Sequence, residues 1–398
     1  MRVAHIITRM IVGGAQENTL LNCLDLAEEF DDDVLLLTGP SVGPEGDLLE
    51  RSGLRAGQAY RRGRAGRLEI QTVPDLVRNI SPVRDWKASR ALRSVLKAYK
   101  PDVVHTHSAK GGMLGRKVAW SLGKPRVVHT VHGAPFHEFQ PRWAHEFFRR
   151  CERYAAKRCH HLISVADAMT DLMVRAKVAP YEKFTTIYSG MDVEPFRKAT
   201  ENREAVRAEL EISADRVVVG KVARLFHLKG HDDLITAAAE VIHRDPRVLF
   251  LLVGDGVLRD SLEQRMKDLG VRDHFRFTGL VPPTDVPKWI GAMDVLVHTS
   301  LREGLARALP QSLIAGIPAV SFDIDGAKEV VIDGETGYLI PPRDTEQLAE
   351  AMVRLCENRE LRQRLGGEGQ RRFTDQFRHQ TMTKEIRQLY ARLCESKR

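Results

Sequence analysis

Three charged side chains have the types and spacing to do chemistry. In the segment VARLFHLKGHDDLI, Arg224 and Lys229 follow a β-branched run and precede a periodic segment that reads as a helix capped near Asp232. The loop at the carboxyl end of a parallel strand is where such sheets take their ligands. There arginine can grip a pyrophosphate through paired hydrogen bonds, and lysine can add a point charge. Two solvent-facing cations are the plainer account of the same pair. In HTSLREGLARALPQSLIAGIPAV, Glu303 lies between a strand over 295–298 and a helix ending at Gly316. Inside a helix the Pro310 ring would meet the carbonyl four residues back, so the helix starts no earlier than about Ala306. Glu303 then sits on the loop over the sheet, with Gln311 inside the helix. Eight residues span about 12 Å when helical, so the two side chains can touch opposite ends of one elongated ligand. Gly304 and Leu305 present backbone amides between them; a surface cap is the alternative role for Glu303.

Gly13 and Gly14 stand between the first strand and a helix whose Leu20, Leu21 and Leu24 form an apolar face. A glycine pair at a helix N-terminus lets backbone N–H groups approach a phosphate, though it also makes a plain strand-to-helix turn. Two further segments, HTHSAKGGMLGR and HTVHGAPFHEF, gather His105, His107, His129, His132 and His137 of the 15 histidines. They lie on separate strand ends with no His-x-x-x-His pair, so hydrogen bonding to a polar substrate fits them better than metal ligation. A satisfied buried histidine is the plainer role for each. Cys151 and Cys159 with His160 and His161 match no tetrahedral metal pattern. Asp323 and Asp325 have Mg²⁺-binding spacing but read better as part of a glycine-containing loop. The five cysteines, odd in number and scattered, argue against a disulfide framework. No phosphate-binding P-loop, nucleophile elbow or His-Glu-x-x-His stands in the chain.

The elements that must position these residues form two successive series. Near-continuous apolar runs over 3–7, 34–37, 103–105, 127–131 and 162–165 read as buried parallel strands, with helices between them. After a charged stretch, KATENREAVRAEL, a second series follows over 217–222, 248–253, 275–278, 295–298 and 319–322. Two βαβ series imply an α/β protein of two doubly wound domains, with the function expected in the cleft between them. The 398 residues, 43% apolar and 29% charged, exclude wholesale disorder. The apolar runs are too short for a membrane helix, and MRVAHIITRM reads as a strand rather than a leader, so a cytoplasmic protein is expected. Net charge is +8, and Arg51, Arg55, Arg61, Arg62, Arg64 and Arg67 fall with no acid between them. That run reads first as a solvated loop and second as a patch for anionic lipid headgroups. With aromatics at 6%, nucleic acid is not expected.

Taken together, these segments resemble the retaining glycosyltransferases of family four. The resemblance runs through GGAQENTL, HTHSAKGGMLGR, HTVHG, YSGMDVEPF, the Arg224/Lys229 loop, GDGVLRDSLE and EGLARALPQSLIAGIPAVSFDIDGAKEVVIDGETGYLIPP. The PDLVRNISPVRDWKA stretch resembles members that build capsular or exopolysaccharide units on lipid carriers. The resemblance implies a GT-B fold, with two Rossmann-like domains facing a central cleft: 1–195 for the acceptor and 196–375 for the nucleotide-sugar, with 376–398 crossing back to the first. It implies that Arg224 and Lys229 neutralise the donor pyrophosphate, with Gly13 and Gly14 beside it. Glu303 would hold the donor sugar, Gly304, Leu305 and Gly254 would help bind the donor, and His132 would sit by the reacting sugar. His107, Ser108 and Lys110 would line the acceptor side. No cofactor or metal is expected, with a UDP-sugar as co-substrate and a glycan or lipid-linked acceptor at the inner membrane face. The family's second glutamate is Gln311 here, which loses charge-assisted hydrogen bonds to ribose and predicts weaker nucleotide binding. A sugar-nucleotide epimerase of the same fold and a non-catalytic sugar-nucleotide-binding protein are the other readings.

Overall fold

The computed structural model describes residues 1–41 and 46–395. The chain divides into two compact units, Met1–Met191 with Phe377–Arg398, and Asp192–Gln376. In unit 1 the sheet runs β3 (Ala59–Arg62), β4 (Gly66–Thr72), β2 (Asp33–Gly39), β1 (Arg2–Arg9), β5 (Val103–His107), β6 (Arg126–Val131), β7 (His161–Ser164) and β8 (Phe184–Thr186). All pairings are parallel except β3 with β4. Helices on both faces account for the unbroken apolar character of the central strands. One such layer packs Leu20, Cys23 and Leu26 of the helix Gly14–Glu29 with Ile386, Leu389 and Tyr390 of the helix His379–Glu395. Polar ties seal it: His379 Nδ1 and Thr383 Oγ1 each reach the Asp25 carboxylate at 2.8 Å, and Arg387 Nε reaches Asp32 at 2.6 Å.

The arginine-rich run is not a loop. It contains the antiparallel hairpin β3–β4, in which Leu68 and Ile70 point inward while Arg67 points out. The strands are too short, at 4 and 7 residues, for their alternation to show through the arginines. Acids distant in sequence or just beyond the run supply counter-charges: Arg62 meets Glu28 at 3.0 Å and Arg67 meets Glu69 at 2.6 Å.

Unit 2 has a parallel sheet in the order β11 (Phe275–Gly279), β10 (Val248–Val253), β9 (Val217–Val222), β12 (Val295–His298), β13 (Ala319–Phe322) and β14 (Gly337–Ile340). The charged stretch between the two series belongs to this unit's structure. Arg203 and Arg207 reach Asp294 at 2.5 and 2.7 Å, and Asp294 also accepts the Val218 N–H at 2.8 Å. Burying those guanidiniums is tolerable only because each is paired and hydrogen-bonded. Among the described residues, no helix is long and apolar enough to cross a membrane.

Candidate active site

Strand β9 is central in its sheet, and its neighbours are β10 and β12. The loops that follow β9 and β12 are therefore adjacent, although some 70 residues separate them in sequence. Across this junction the Lys229 Nζ meets Glu303 Oε1 at 2.5 Å, both side chains being 22% exposed. Burial alone would raise the Glu303 carboxyl, but the Lys229 ammonium, helped by His298, outweighs it and holds the carboxyl below its ordinary range. Glu303 is thus an anion at neutral pH. Its backbone N–H donates to Asp325 Oδ2 at 2.7 Å, which fixes the loop beneath the side chain. Arg224 lies on the same β9 loop, exposed, with its guanidinium 4.9 Å from the Phe226 ring centre.

Beneath this loop lies Lys221, which the sequence reading passed over. It is 1% exposed, and its Nζ donates to the Lys229 carbonyl at 2.7 Å and to Thr299 Oγ1 at 2.5 Å. Thr299 Oγ1 in turn donates to the Gly230 carbonyl at 2.6 Å. The loop needs such a clamp because Leu228 and Gly230 both have positive φ, 66° and 62°. A Cβ on Gly230 would lie 1.8 Å from the Thr299 carbonyl oxygen, so only glycine fits there. The available signal for Lys221 was one lysine inside the otherwise apolar run VVVGKV. Burial, then Lys229, lower its ammonium to about 7, with Glu303 and Asp233 acting the other way. The folded chain therefore loses this proton near pH 7, whereas an unfolded lysine keeps it to about 10.4. Stability from this group rises with pH across that window. The stability difference between Lys221→Met and wild type should accordingly shift in favour of wild type as the pH rises from about 6 to about 8.5. Thermal unfolding of both proteins at the two pH values checks this; a pH-independent difference refutes it.

The helix Ala308–Ile314 carries Gln311, half-buried, and Pro310 is its third residue. In that first turn the missing N–H costs no intrahelical bond, so the proline seats without a kink. Gly304 and Leu305 lie on the preceding loop, half-buried. Gly254, at φ 136°, follows β10 and lies against the Arg224 loop, where a Cβ would lie 2.2 Å from the Ala223 carbonyl oxygen.

Unit 1 gathers its own polar cluster from the middle of β1 and β5 to the carboxyl ends of β5 and β6. His5 Nδ1 bonds His107 Nε2 at 3.0 Å, and His107 Nδ1 bonds His132 Nε2 at 3.1 Å. His105 binds the Tyr390 hydroxyl and, at 2.7 Å, Thr130 Oγ1. Burial drives His5 down to about 3 and His105, His107 and His129 well below the ordinary value, so these rings are neutral. Ring nitrogens of His5, His105 and His107 lie within 4.8 Å of one another, the one such histidine group among the described residues that could hold a metal. Most of those nitrogens already have hydrogen-bond partners; His5 Nε2 has none. Two acceptor-side candidates face inward partners. Ser108 Oγ bonds Thr8 Oγ1 at 2.6 Å, and Lys110 Nζ bonds Asp85 Oδ2 at 2.6 Å. Gly13 precedes the helix Gly14–Glu29 in extended conformation, and Gly14 is its first residue.

Residues 202–372 match the family described as "Glycosyl transferases group 1", and residues 33–195 match "Glycosyltransferase Family 4". The chain belongs to the family-four-like glycosyltransferases. Curated relatives agree along nearly the whole length. The enzyme is 29% identical to the UDP-Gal:alpha-D-GlcNAc-diphosphoundecaprenol alpha-1,3-galactosyltransferase of Escherichia coli, over 91% of this chain and 89% of that one. It is 22% identical to the capsular polysaccharide biosynthesis glycosyltransferase CapM of Staphylococcus aureus, over 81% and 85%. The glycosyltransferase shares its fold with Anabaena HepE, solved in complex with UDP and glucose (TM-score 0.80, 21% identity, 98% and 99% coverage). Sucrose-phosphate synthase from Thermosynechococcus elongatus is equally similar in fold (TM-score 0.80, 20% identity, 99% of each chain). Both units are thus the Rossmann-like domains of the GT-B fold.

Proposed function

We propose that this glycosyltransferase moves a sugar, with retention of configuration, from a nucleotide-sugar donor to a lipid-linked or other glycan acceptor in cell-surface polysaccharide synthesis. The observation that carries the reading is the Lys229–Glu303 pair beside Arg224 at the carboxyl end of the unit 2 sheet. A cation and a carboxylate held together there match a donor with a charged pyrophosphate at one end and hydroxyls at the other. Arg224 and Lys229 would take the pyrophosphate, Glu303 would accept from sugar hydroxyls, and the Gly304 and Leu305 amides would support it. As the bond from sugar to phosphate breaks, negative charge develops on the leaving oxygen, where the cations stabilise it. The acceptor hydroxyl forms the new bond from the same face, and its proton passes to the departing phosphate oxygen. HepE, solved with UDP, and the E. coli relative, named for UDP-Gal, support a UDP-sugar as donor. That relative's name also supports a lipid-linked acceptor, which would hold the enzyme at an anionic membrane face.

Calorimetric titration with UDP, GDP and ADP tests the donor reading. UDP should bind best, and Arg224→Ala should weaken it at least about tenfold, the loss of one charge-assisted contact. Gln311→Glu should tighten it about fivefold by restoring a charged acceptor for ribose. Unchanged UDP affinity in Arg224→Ala refutes the pyrophosphate assignment. Without acceptor the enzyme should only hydrolyse donor slowly; an isomerised donor would point to the epimerase instead.

A further inference from the structure

The helix Arg142–Ala156 buries one face, with Ala144, Glu152, Ala155 and Ala156 turned into unit 1. Its opposite face is unusual for a surface helix. Trp143, Phe147, Arg150 and Tyr154 recur at spacings of four, three and four, which puts them on a single stripe. Trp143 is 76% exposed, Phe147 48% and Tyr154 42%, and Phe139, just before the helix, is also exposed. Three large aromatic side chains on one wet stripe mark an interaction surface rather than scattered apolar exposure.

The charges around them say what the surface meets. From Arg142 through Arg158, both included, there are six lysines and arginines and two acids. Neither acid opposes an anionic partner freely. Glu152 is buried against Arg116 at 2.9 Å, and Glu146 pairs with Arg149 and Arg150 at 2.8 and 2.7 Å. Arg142, Arg153 and Lys157 are exposed, and the Arg158 guanidinium lies 3.6 Å over the Tyr154 ring. A second copy of the same face would set like charges against each other, so self-association through it is disfavoured. Aromatic anchors ringed by cations instead suit the interface of an anionic bilayer, with rings at headgroup depth and guanidiniums on phosphates. The hairpin β3–β4 lacks the apolar half of that combination: among the described residues, none of the strongly exposed large apolar side chains falls between Arg51 and Arg67.

We propose that the helix Arg142–Ala156 is the face by which this glycosyltransferase docks on anionic lipid, through Trp143, Phe147 and Tyr154 and the surrounding arginines. For its purpose the proposal rests on the lipid-linked acceptor reading, but lipid binding is measured without donor or acceptor. In vesicle flotation the full-length protein should bind phosphatidylcholine vesicles containing phosphatidylglycerol, and not pure phosphatidylcholine. Trp143→Ser/Phe147→Ser and, separately, Arg153→Glu/Lys157→Glu should each weaken that binding at least about tenfold. Arg61→Glu/Arg64→Glu on the hairpin should leave it unchanged. Trp143→Phe should keep the binding while losing the blue shift of tryptophan emission on vesicle addition, a readout that survives if the polar variants misfold. Four results overturn the proposal: no vesicle binding by wild type, equal binding to neutral vesicles, loss through the hairpin pair instead, or self-association through Trp143 without lipid binding. A failure here leaves the UDP titration untouched, so the two readings stand or fall separately.

Discussion

If Lys229 faces the leaving group as proposed, replacing it by alanine should lower kcat by about 10²–10³-fold, the usual cost of losing one preorganised charge there. Some stability is lost as well, because both side chains are only 22% exposed and Glu303 is left buried without its ammonium, so thermal unfolding of the variant is measured beside its kinetics. The variant also strips Glu303 of the ammonium that holds its carboxyl down, leaving burial to raise it. The acid limb of the pH–rate profile should therefore move to higher pH in Lys229→Ala. Lys229→Arg keeps the charge and should recover part of the rate without that movement. Steady-state kinetics with donor and acceptor across pH measure both effects. A kcat within about threefold of wild type would remove Lys229 from the leaving-group side of the reaction.

The largest loss of stability is expected at Arg116. Its side chain is fully buried, donates through Nε to the Gly112 carbonyl at 2.9 Å and meets Glu152 at 2.9 Å. Arg116→Met leaves the Glu152 carboxylate buried without a partner, which costs about 3–5 kcal/mol. The double variant Arg116→Met/Glu152→Leu removes both charges and should regain most of that loss, since burying a matched pair contributes little net stability. Urea unfolding of the two single variants and the double variant gives the coupling directly. If the double variant is no more stable than Arg116→Met, the loss comes from packing around Arg116 rather than from the stranded charge.

Most strands were legible because a parallel strand covered on both faces must be apolar along its length. The strands over 217–222, 248–253 and 295–298 emerge as β9, β10 and β12 with the same residues. The same rule hid part of the edge: β3 and β8 are only 4 and 3 residues long and mostly polar, so they show neither an apolar run nor a period. Arg224, Lys229 and Glu303 were legible as loop residues after strands, and Pro310 bounded the helix that carries Gln311. Lys221 was not, because its value lies in a carbonyl and a hydroxyl it meets only in three dimensions.

Read alone, the chain determined two βαβ series, the loops that follow their strands and the charged residues on those loops. Which loops become neighbours was decided by tertiary structure. Chain order runs β9, β10, β11, β12, but the sheet sets β12 directly against β9. That crossover places Lys229 on Glu303 across 74 residues and Lys221 beneath them both. The physical reason is that side-chain periodicity reports which face of an element is buried, whereas hydrogen-bonded strand neighbours are chosen by how whole apolar faces pack together.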